Sequence, residues 1–328
     1  MKRIGFLLAI LAAAMFCGSP NGLAQTAPKK ITFLTNYAFN GRYAPFFVGR
    51  EKGFYKEAGF DLTITPATGS GFVIAAVDAG KAEYGLADFS SLVQSVPKGA
   101  KIKAFMVYTD ATPSGLASVA PFPTPESLLG KKITASLADN VRVIVPVIFD
   151  GKGLDASKIQ WQAADPGVYF SLLLSGQTDL ITASVDGDLP ALRRVATAQG
   201  KQVHFASFAD WGYDVFGFVI VGSKANFEKN PGEAQRFAEA TKKAVRYAID
   251  HPDETARIMV KANPTMNYDT VLAQWTQSIK VIDTPYVAQH GYGMASADRL
   301  QHSIALVKEA LDINAAIEPE DVYLKAGN

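Results

Sequence analysis

The segment Phe60–Asp88, FDLTITPATGSGFVIAAVDAGKAEYGLAD, decides the fold class. Its first seven residues alternate in polarity and end in a proline, which predicts a strand. Gly69-Ser70-Gly71 then opens an apolar helix that ends near Gly80, and a short strand follows over residues 84–87. A strand, a helix and a second strand joined by short turns are typical of a parallel β-α-β unit.

The same alternation extends to both sides of this segment and then starts again at Thr124. Flanking strands are predicted over 31–36 and 102–108, and a second set over 131–135, 159–163, 178–183 and 203–206. The stretch Ala79–Asp88 resembles Ser175–Ser184, since each gives a helix end, a glycine, an acid, an apolar strand and a polar tip. The pattern predicts two doubly wound α/β lobes.

From Phe216 the sequence changes character. One strand, FGFVIV, leads into helical segments over 233–249, 252–261, 268–280 and 297–311. The chain is therefore expected to cross between the lobes twice, near residues 115–120 and 212–221. The predicted fold is a bilobal α/β protein with a two-crossing hinge and a helical C-terminal part. Lobe I comprises residues 29–118 plus 221–328, and lobe II comprises residues 119–220.

The first 24 residues have the pattern of a secretory signal peptide. Lys2 and Arg3 precede the apolar run IGFLLAILAAAMF, and small residues lead to Gly22-Leu23-Ala24. The run is shorter than the roughly 20 residues that a membrane span needs. An alternative is a lipid anchor at Cys17, although the bulky Phe16 occupies a position where a lipobox has a small residue. The sequence thus predicts an exported, periplasmic protein cleaved after Ala24.

Composition excludes several function classes. The 328 residues include 32 basic and 31 acidic ones, so no basic surface for nucleic acid is expected. The single cysteine, at 17, excludes disulfide frameworks and cysteine-rich metal sites. The four histidines, at 204, 251, 290 and 302, lack metal-ligand spacing, and no phosphate-binding P-loop occurs. We expect no cofactor and no metal.

Several motifs resemble one family of periplasmic solute-binding proteins over about residues 30–265. The opening Asn36-Tyr37, YAPFFVG at 43–49 and EKGFYKEAGF at 51–60 carry the resemblance, together with Ala87-Asp88, GKGLD at 151–155, LSGQTD at 174–179, EKNP at 228–231 and YAIDHP at 247–252. The family serves ABC importers for thiamine-pyrimidine precursors, riboflavin, sulfonates, taurine and nitrate. The resemblance implies a bilobal periplasmic-binding-protein fold and a monomer that delivers a small-molecule ligand to an inner-membrane permease.

The resemblance also defines the alternatives. A eukaryotic branch of the family is a pyrimidine synthase that consumes its own histidine, but it carries a cysteine cluster that this sequence lacks. We therefore expect a binding protein and not an enzyme. A sensory module that reports ligand to a receptor is the remaining alternative from another class.

Candidate ligand-binding residues follow the predicted strands, because ligands of doubly wound sheets lie beyond the carboxyl ends of the strands. The candidates are Asn36, Tyr37, Phe39, Asn40, Tyr43, Ser70, Gly71, Asp88, Phe89, Ser136, Asn140, Arg142, Ser184, Asp186, Trp211 and Tyr213.

Two ligand classes remain open for this set. The aromatic residues predict a flat heterocycle, such as a thiamine-type pyrimidine, held between Tyr37 and Trp211. The Ser70 helix start and Arg142 instead predict a small anion such as an alkylsulfonate. Asp88 and Asn140 have an alternative role as helix caps.

We predict that the mature chain begins at Gln25. Cleavage after Ala24 removes two positive charges and the only cysteine. Mass spectrometry of the protein recovered from the periplasm should therefore give a free N-terminus at Gln25, and a lipid-modified Cys17 would contradict the prediction.

Overall fold

The protein contains two five-stranded mixed sheets surrounded by helices, which confirms the predicted bilobal α/β fold. The computed structural model describes residues 27–137 and 139–324, so the predicted signal peptide and Cys17 lie outside the described residues. The first sheet contains β1 (Lys29–Thr35), β2 (Phe60–Pro66), β3 (Tyr84–Asp88), β4 (Ile102–Val107) and β10 (Phe218–Ser223). The second sheet contains β5 (Ser114–Ser118), β6 (Lys132–Thr134), β7 (Gln160–Gln162), β8 (Leu180–Ser184) and β9 (His204–Ser207).

Helices connect these strands and form the C-terminal part. Within the lobes they are α1 (Ala44–Glu51), α2 (Phe54–Glu57), α3 (Ser70–Asp78), α4 (Phe89–Ser95), α5 (Val141–Asp150), α6 (Tyr169–Leu174) and α7 (Leu189–Thr197). After β10 they are α8 (Lys224–Lys229), α9 (Glu233–Asp250), α10 (Pro252–Ala262), α11 (Tyr268–Ile282), α12 (Pro285–His290), α13 (Ala297–Ala310) and α14 (Pro319–Val322). Short 3-10 turns include Gly41–Tyr43 and Pro166–Val168. Among the described residues, no helix is both long and apolar enough to cross a bilayer.

The two sheets have the same topology. Their strand orders are β2-β1-β3-β10-β4 and β7-β6-β8-β5-β9. In each, three neighbouring strands run parallel, and one antiparallel strand separates them from the fifth. The resembling stretches Ala79–Asp88 and Ser175–Ser184 end in β3 and β8, which hold the same central place in their sheets.

The strand β5 was not expected from the sequence. The lobe boundary predicted at 118 would leave it in lobe I, yet it pairs with β8 and β9 of the second sheet. Its sequence, SGLAS, is short and small, and it lacks the β-branched residues that mark a strand. The chain thus passes between the sheets over residues 108–113 and 208–217. How far each lobe extends as a moving unit stays a prediction.

One arginine ties both passages together. Arg299 of α13 donates from both terminal nitrogens to Asp214 in the second passage, at 3.0 and 3.1 Å, and to the carbonyl of Asp110 in the first, at 3.1 Å. Its guanidinium lies 5.1 Å from the ring centroids of both Phe216 and Tyr286. The Nε of Arg299 and the Oδ1 of Asp110 are buried, 3.5 Å apart and without a hydrogen bond.

The close contact between β5 and β9 predicts that a larger residue at Gly115 destabilises the protein. A Cβ added there would lie 2.1 Å from the carbonyl oxygen of Ala206 and 2.6 Å from the Phe205 ring. Because a backbone atom cannot move aside, Gly115→Ala should lower the free energy of unfolding by about 1–3 kcal/mol in urea denaturation.

Gly151→Ala is the matched control in the same lobe. Its added Cβ would meet nothing closer than 3.6 Å, so its unfolding free energy should change by less than about 0.5 kcal/mol. Equal effects of the two substitutions would contradict the pairing of β5 with β9.

Candidate functional site

The carboxyl ends of the parallel strands in the two sheets face a common cleft. The first passage leaves the carboxyl end of β4 and enters β5, whose first residue, Ser114, pairs with the last residue of β8. The second leaves the carboxyl end of β9 and enters β10, whose first residue, Phe218, pairs with Asp88 at the end of β3. Both short passages therefore join the same edge of each sheet, where doubly wound sheets bind ligands.

The loop after β1 brings several predicted residues to this cleft. The hydroxyl of Tyr43 donates to Asn36 Oδ1 at 2.9 Å, and Asn40 accepts from the backbone N–H of Arg42 at 3.0 Å. Tyr43 is fully buried, and Phe39 packs edge-on against Phe47 at 5.1 Å. These side chains support the loop and leave a neighbouring ring, that of Tyr37, open to solvent.

Tyr37 is the exposed aromatic residue of the loop, with 48% of its surface accessible. Partial burial raises its pKa, and the carboxylates of Asp188 and Asp165 raise it further. Both carboxylates belong to the segment between the two passages, so the ring lies where the two lobes approach each other. Its role in stacking on a ligand stays a prediction.

A polar cluster forms at the ends of β2 and β3. The backbone N–H of Asp88 donates to Ser70 Oγ at 2.9 Å, and Asp88 Oδ1 accepts from the N–H of Ser91 at 3.2 Å. Asp88 therefore caps α4, as its alternative role predicted. Tyr213 shares a hydrogen bond with Ser90 at 3.2 Å, beside this cap. Of the remaining predicted residues here, Gly71 is exposed and Phe89 is buried edge-on against Phe216.

The pKa of Asp88 is raised to about 6. Burial disfavours its charged form, and the N–H groups of Ser91 and Ser90 and the charge of Arg42 offset only part of that effect. The pKa of this carboxyl therefore lies near neutral pH, so its charge responds to modest changes in pH.

Arg142 does not point to an open site. Its Nε donates to the carbonyl of Ser136 and its terminal nitrogen to that of Ala135, both at 2.8 Å. The guanidinium also lies 5.0 Å from the Trp161 ring centroid. Arg142 therefore stabilises the segment that directly follows β6. At the start of α5, Asp139 and not Asn140 supplies a side-chain bond, accepting from the N–H of Val141 at 3.0 Å.

Trp211 packs its ring edge-on against Phe122 at 6.2 Å and is 9% exposed. Trp211, which lies within the second passage, is therefore part of the hydrophobic core. A sandwich of Tyr37 and Trp211 around a ligand stays a prediction.

A buried ion pair joins the loop after β1 to the loop after β8. Asp186, two residues after β8, accepts from both Arg42 Nε, at 2.7 Å, and a terminal nitrogen of Arg42. Ser278 of α11 donates to the same carboxylate at 3.1 Å. Arg42 and Asp186 are 4% and 0% exposed, so the pair is buried. The guanidinium also lies 4.4 Å from the Phe218 ring centroid.

Gln274 reinforces the same contact. Its Oε1 accepts from the N–H of Gly41 at 2.9 Å, and its Nε2 donates to the carbonyl of Gly187 at 2.7 Å. On the other side of that turn, Ser184 donates from its N–H and hydroxyl to Asp188, both at 2.8 Å. Residues Arg42, Gln274, Ser278 and Asp188 were not predicted. The only signal was an arginine inside the apolar stretch 41–49, which requires a counter-ion when buried.

A cavity of about 590 Å³ lies elsewhere, beyond the β4 edge of the first sheet. Phe105, Phe227, Met294 and Leu300 contribute to its lining, with Tyr323 beside Ala104 of β4. Among the described residues, no predicted site residue and no residue of the second sheet contributes to its lining, so we place the candidate site in the cleft between the sheets.

Comparisons with known proteins agree with this architecture. The family model described as "NMT1/THI5 like" matches residues 40–255. A curated relative, the 4-amino-5-hydroxymethyl-2-methylpyrimidine phosphate synthase of Saccharomyces cerevisiae, is 23% identical over 257 residues, covering 75% of each chain. The chain therefore belongs to the NMT1/THI5-like family.

Solved structures show the same fold at low identity. The periplasmic aliphatic sulphonate-binding protein of Escherichia coli superposes with a TM-score of 0.68 at 13% identity, covering 89% of this chain and 96% of that one. A ligand-binding component of an ABC-type import system from Staphylococcus aureus, with zinc bound, gives 0.66 at 12%, covering 90% and 96%. The fold is that of the periplasmic binding proteins, as the sequence predicted.

The raised pKa of Asp88 predicts a pH-dependent stability. Because the folded state holds this proton more tightly than the unfolded state, the carboxyl stabilises the fold at low pH and that contribution is lost as pH rises through about 6. Asp88→Asn mimics the neutral form and still caps the helix. Its gain in unfolding free energy over wild type should grow from near zero at about pH 4 to about 1–3 kcal/mol above pH 7, measured in urea.

Asp61→Asn is the control for this series, since Asp61 is exposed on β2. Its difference from wild type should stay constant across the same pH range. A pH-independent difference for Asp88→Asn would show that Asp88 is not the titrating group.

Proposed function

We propose that this protein is the periplasmic substrate-binding component of an ABC importer. It captures a small aromatic or heterocyclic nutrient, similar to a thiamine pyrimidine, between its two lobes. The observation that carries the proposal is the meeting of both sets of strand ends at one cleft, with the exposed ring of Tyr37 close enough to the opposite lobe for its carboxylates to act on it. Ligand contacts from both lobes favour the closed state, which the permease recognises.

The names of the related proteins support the transport role and the ligand class separately. One structural neighbour is named as a ligand-binding component of an ABC-type import system, and the other as a periplasmic sulphonate-binding protein. The yeast relative is named as the synthase of a pyrimidine phosphate. A pyrimidine captured by an import-type binding protein combines the two, and the exported, cysteine-free mature chain expected from the sequence is consistent with it.

The positions of the histidines favour a binding protein over a synthase that consumes its own histidine. His204 pairs with Ser118 at the end of β9 opposite to the cleft. His251 stacks on Tyr247 and His290 on Tyr286, at 4.3 and 4.4 Å, in the C-terminal helices. His302 is exposed on α13. None of the four donates to, or accepts from, a cleft residue among the hydrogen bonds of the described part of the chain.

A small anion is the second candidate ligand, favoured by the sulphonate named for the Escherichia coli neighbour. The helix start at Ser70 would supply backbone N–H groups. Arg142 would have to release two backbone carbonyls to take part, since both described bonds of its guanidinium go to residues 135 and 136. The pyrimidine class is therefore the leading proposal.

The function is tested on the mature protein with a thermal-shift screen of pyrimidines, flavins, sulfonates and aromatic acids. A ligand at 100 times its Kd adds about 2.7 kcal/mol to the unfolding free energy, which shifts the midpoint by several degrees. With the best compound, small-angle scattering should show a smaller radius of gyration than without it. Tyr37→Ala should weaken its binding at least about tenfold.

Tyr37→Phe is the matched control, because it keeps the ring and removes only the hydroxyl. It should retain affinity within a few-fold of wild type. An unchanged radius of gyration at saturation would reject the closing motion. Unaltered binding by Tyr37→Ala would reject stacking on this ring.

A further inference from the structure

The buried ion pair sets what charge the cleft presents. Asp186 receives three hydrogen bonds, two from Arg42 and one from Ser278, all from the opposite lobe. Burial lowers the pKa of Arg42, but the charge of Asp186 and its hydrogen bonds outweigh that effect and raise it. Arg42 therefore stays charged, and its charge is already balanced inside the protein.

The local backbone is shaped for this pairing. A Cβ at Gly187 would lie 2.6 Å from Ser184 Oγ and 3.3 Å from a terminal nitrogen of Arg42. Gln274 holds Gly41 and the Gly187 carbonyl at the same time, so the segments that carry the two charges are fixed on both sides. The pair is thus positioned by the fold and does not depend on a chance contact between flexible side chains.

The second arginine near the cleft is also occupied. Arg42 is close enough to Tyr43 and Asp88 to affect their pKa values, and Arg142 is close enough to affect that of Asp139. The guanidinium of Arg142 donates to two backbone carbonyls. An anionic ligand that uses Arg42 would have to displace Asp186, and one bound beside the Ser70 helix start would lack both arginines as counter-ions, which disfavours its burial.

We propose that Asp186 is a specificity-determining residue that makes the cleft reject anions. It occupies, from the second lobe, the hydrogen-bonding positions on Arg42 that the carboxylate, sulfonate or phosphate of a ligand would take. The ligand class of the proposed site, on which this inference rests, is then uncharged or positively charged. The same substitution that removes Asp186 turns Arg42 into an anion site.

The test compares three forms of the mature protein: wild type, Asp186→Ala, and Arg42→Gln combined with Asp186→Ala. The single variant removes the carboxylate and leaves space beside Arg42, while the double variant leaves the same space without the cation. The probe is methanesulfonate, measured by calorimetric titration and thermal shift against chloride at equal ionic strength, which cancels general screening.

Methanesulfonate should bind Asp186→Ala at least about tenfold more tightly than wild type and raise its midpoint of unfolding, because it replaces the lost carboxylate. The double variant and wild type should show neither effect. If Asp186→Ala is unfolded alone, refolding in methanesulfonate but not in chloride is the expected result. Binding to wild type as tight as to Asp186→Ala would overturn the proposal, and so would a single variant no more responsive than the double one.

A second arm separates this inference from the proposed function. Wild type is titrated with 4-amino-5-hydroxymethyl-2-methylpyrimidine and with its phosphate ester, which differ in charge on one scaffold. Binding of the uncharged compound alone supports both proposals, and tighter binding of the ester overturns anion rejection. Binding of neither removes support for the pyrimidine ligand, and the methanesulfonate arm then still decides the role of Asp186.

Discussion

The connection between the two sheets is the constraint on which the rest of the structure depends. Both passages run between carboxyl-end edges, so the loops after β1, β3, β6 and β8 are brought opposite one another whatever their sequence. The topology alone thereby places a cleft at this edge of the two sheets, independently of the side chains that line it. Ligand choice is then left to the residues in those loops, which explains how one fold serves proteins named for different ligands.

Much of this architecture could be predicted from the sequence, because the parallel strands are apolar runs bounded by glycines and helix caps. The strand β2, predicted over 60–66, has those bounds in the structure. The strand β5 could not be predicted, since its place depends on pairing with β8 and β9, which are distant in sequence. Asn36 and Tyr37 could be proposed from their position after a strand, but the partner of Arg42 lies 144 residues away.

The Arg42–Asp186 pair also bears on how the lobes open. Separation of the segments that carry these two charges would expose both to water, and their hydration would offset much of the lost Coulomb attraction. Removing one partner instead leaves a buried charge that costs about 3–5 kcal/mol. The same pair can therefore tolerate opening and still be intolerant of substitution.

The bridge formed by Arg299 has a consequence for the C-terminal helices. Because α13 contacts both α4 and α5, and its Arg299 holds both Asp214 and the Asp110 carbonyl, the helix is coupled to each passage at once. A relative rotation of the lobes must carry this helix along or break charge-assisted hydrogen bonds. Sequence changes in α13 can therefore alter how the two sheets are placed relative to each other without altering any residue that lines the cleft.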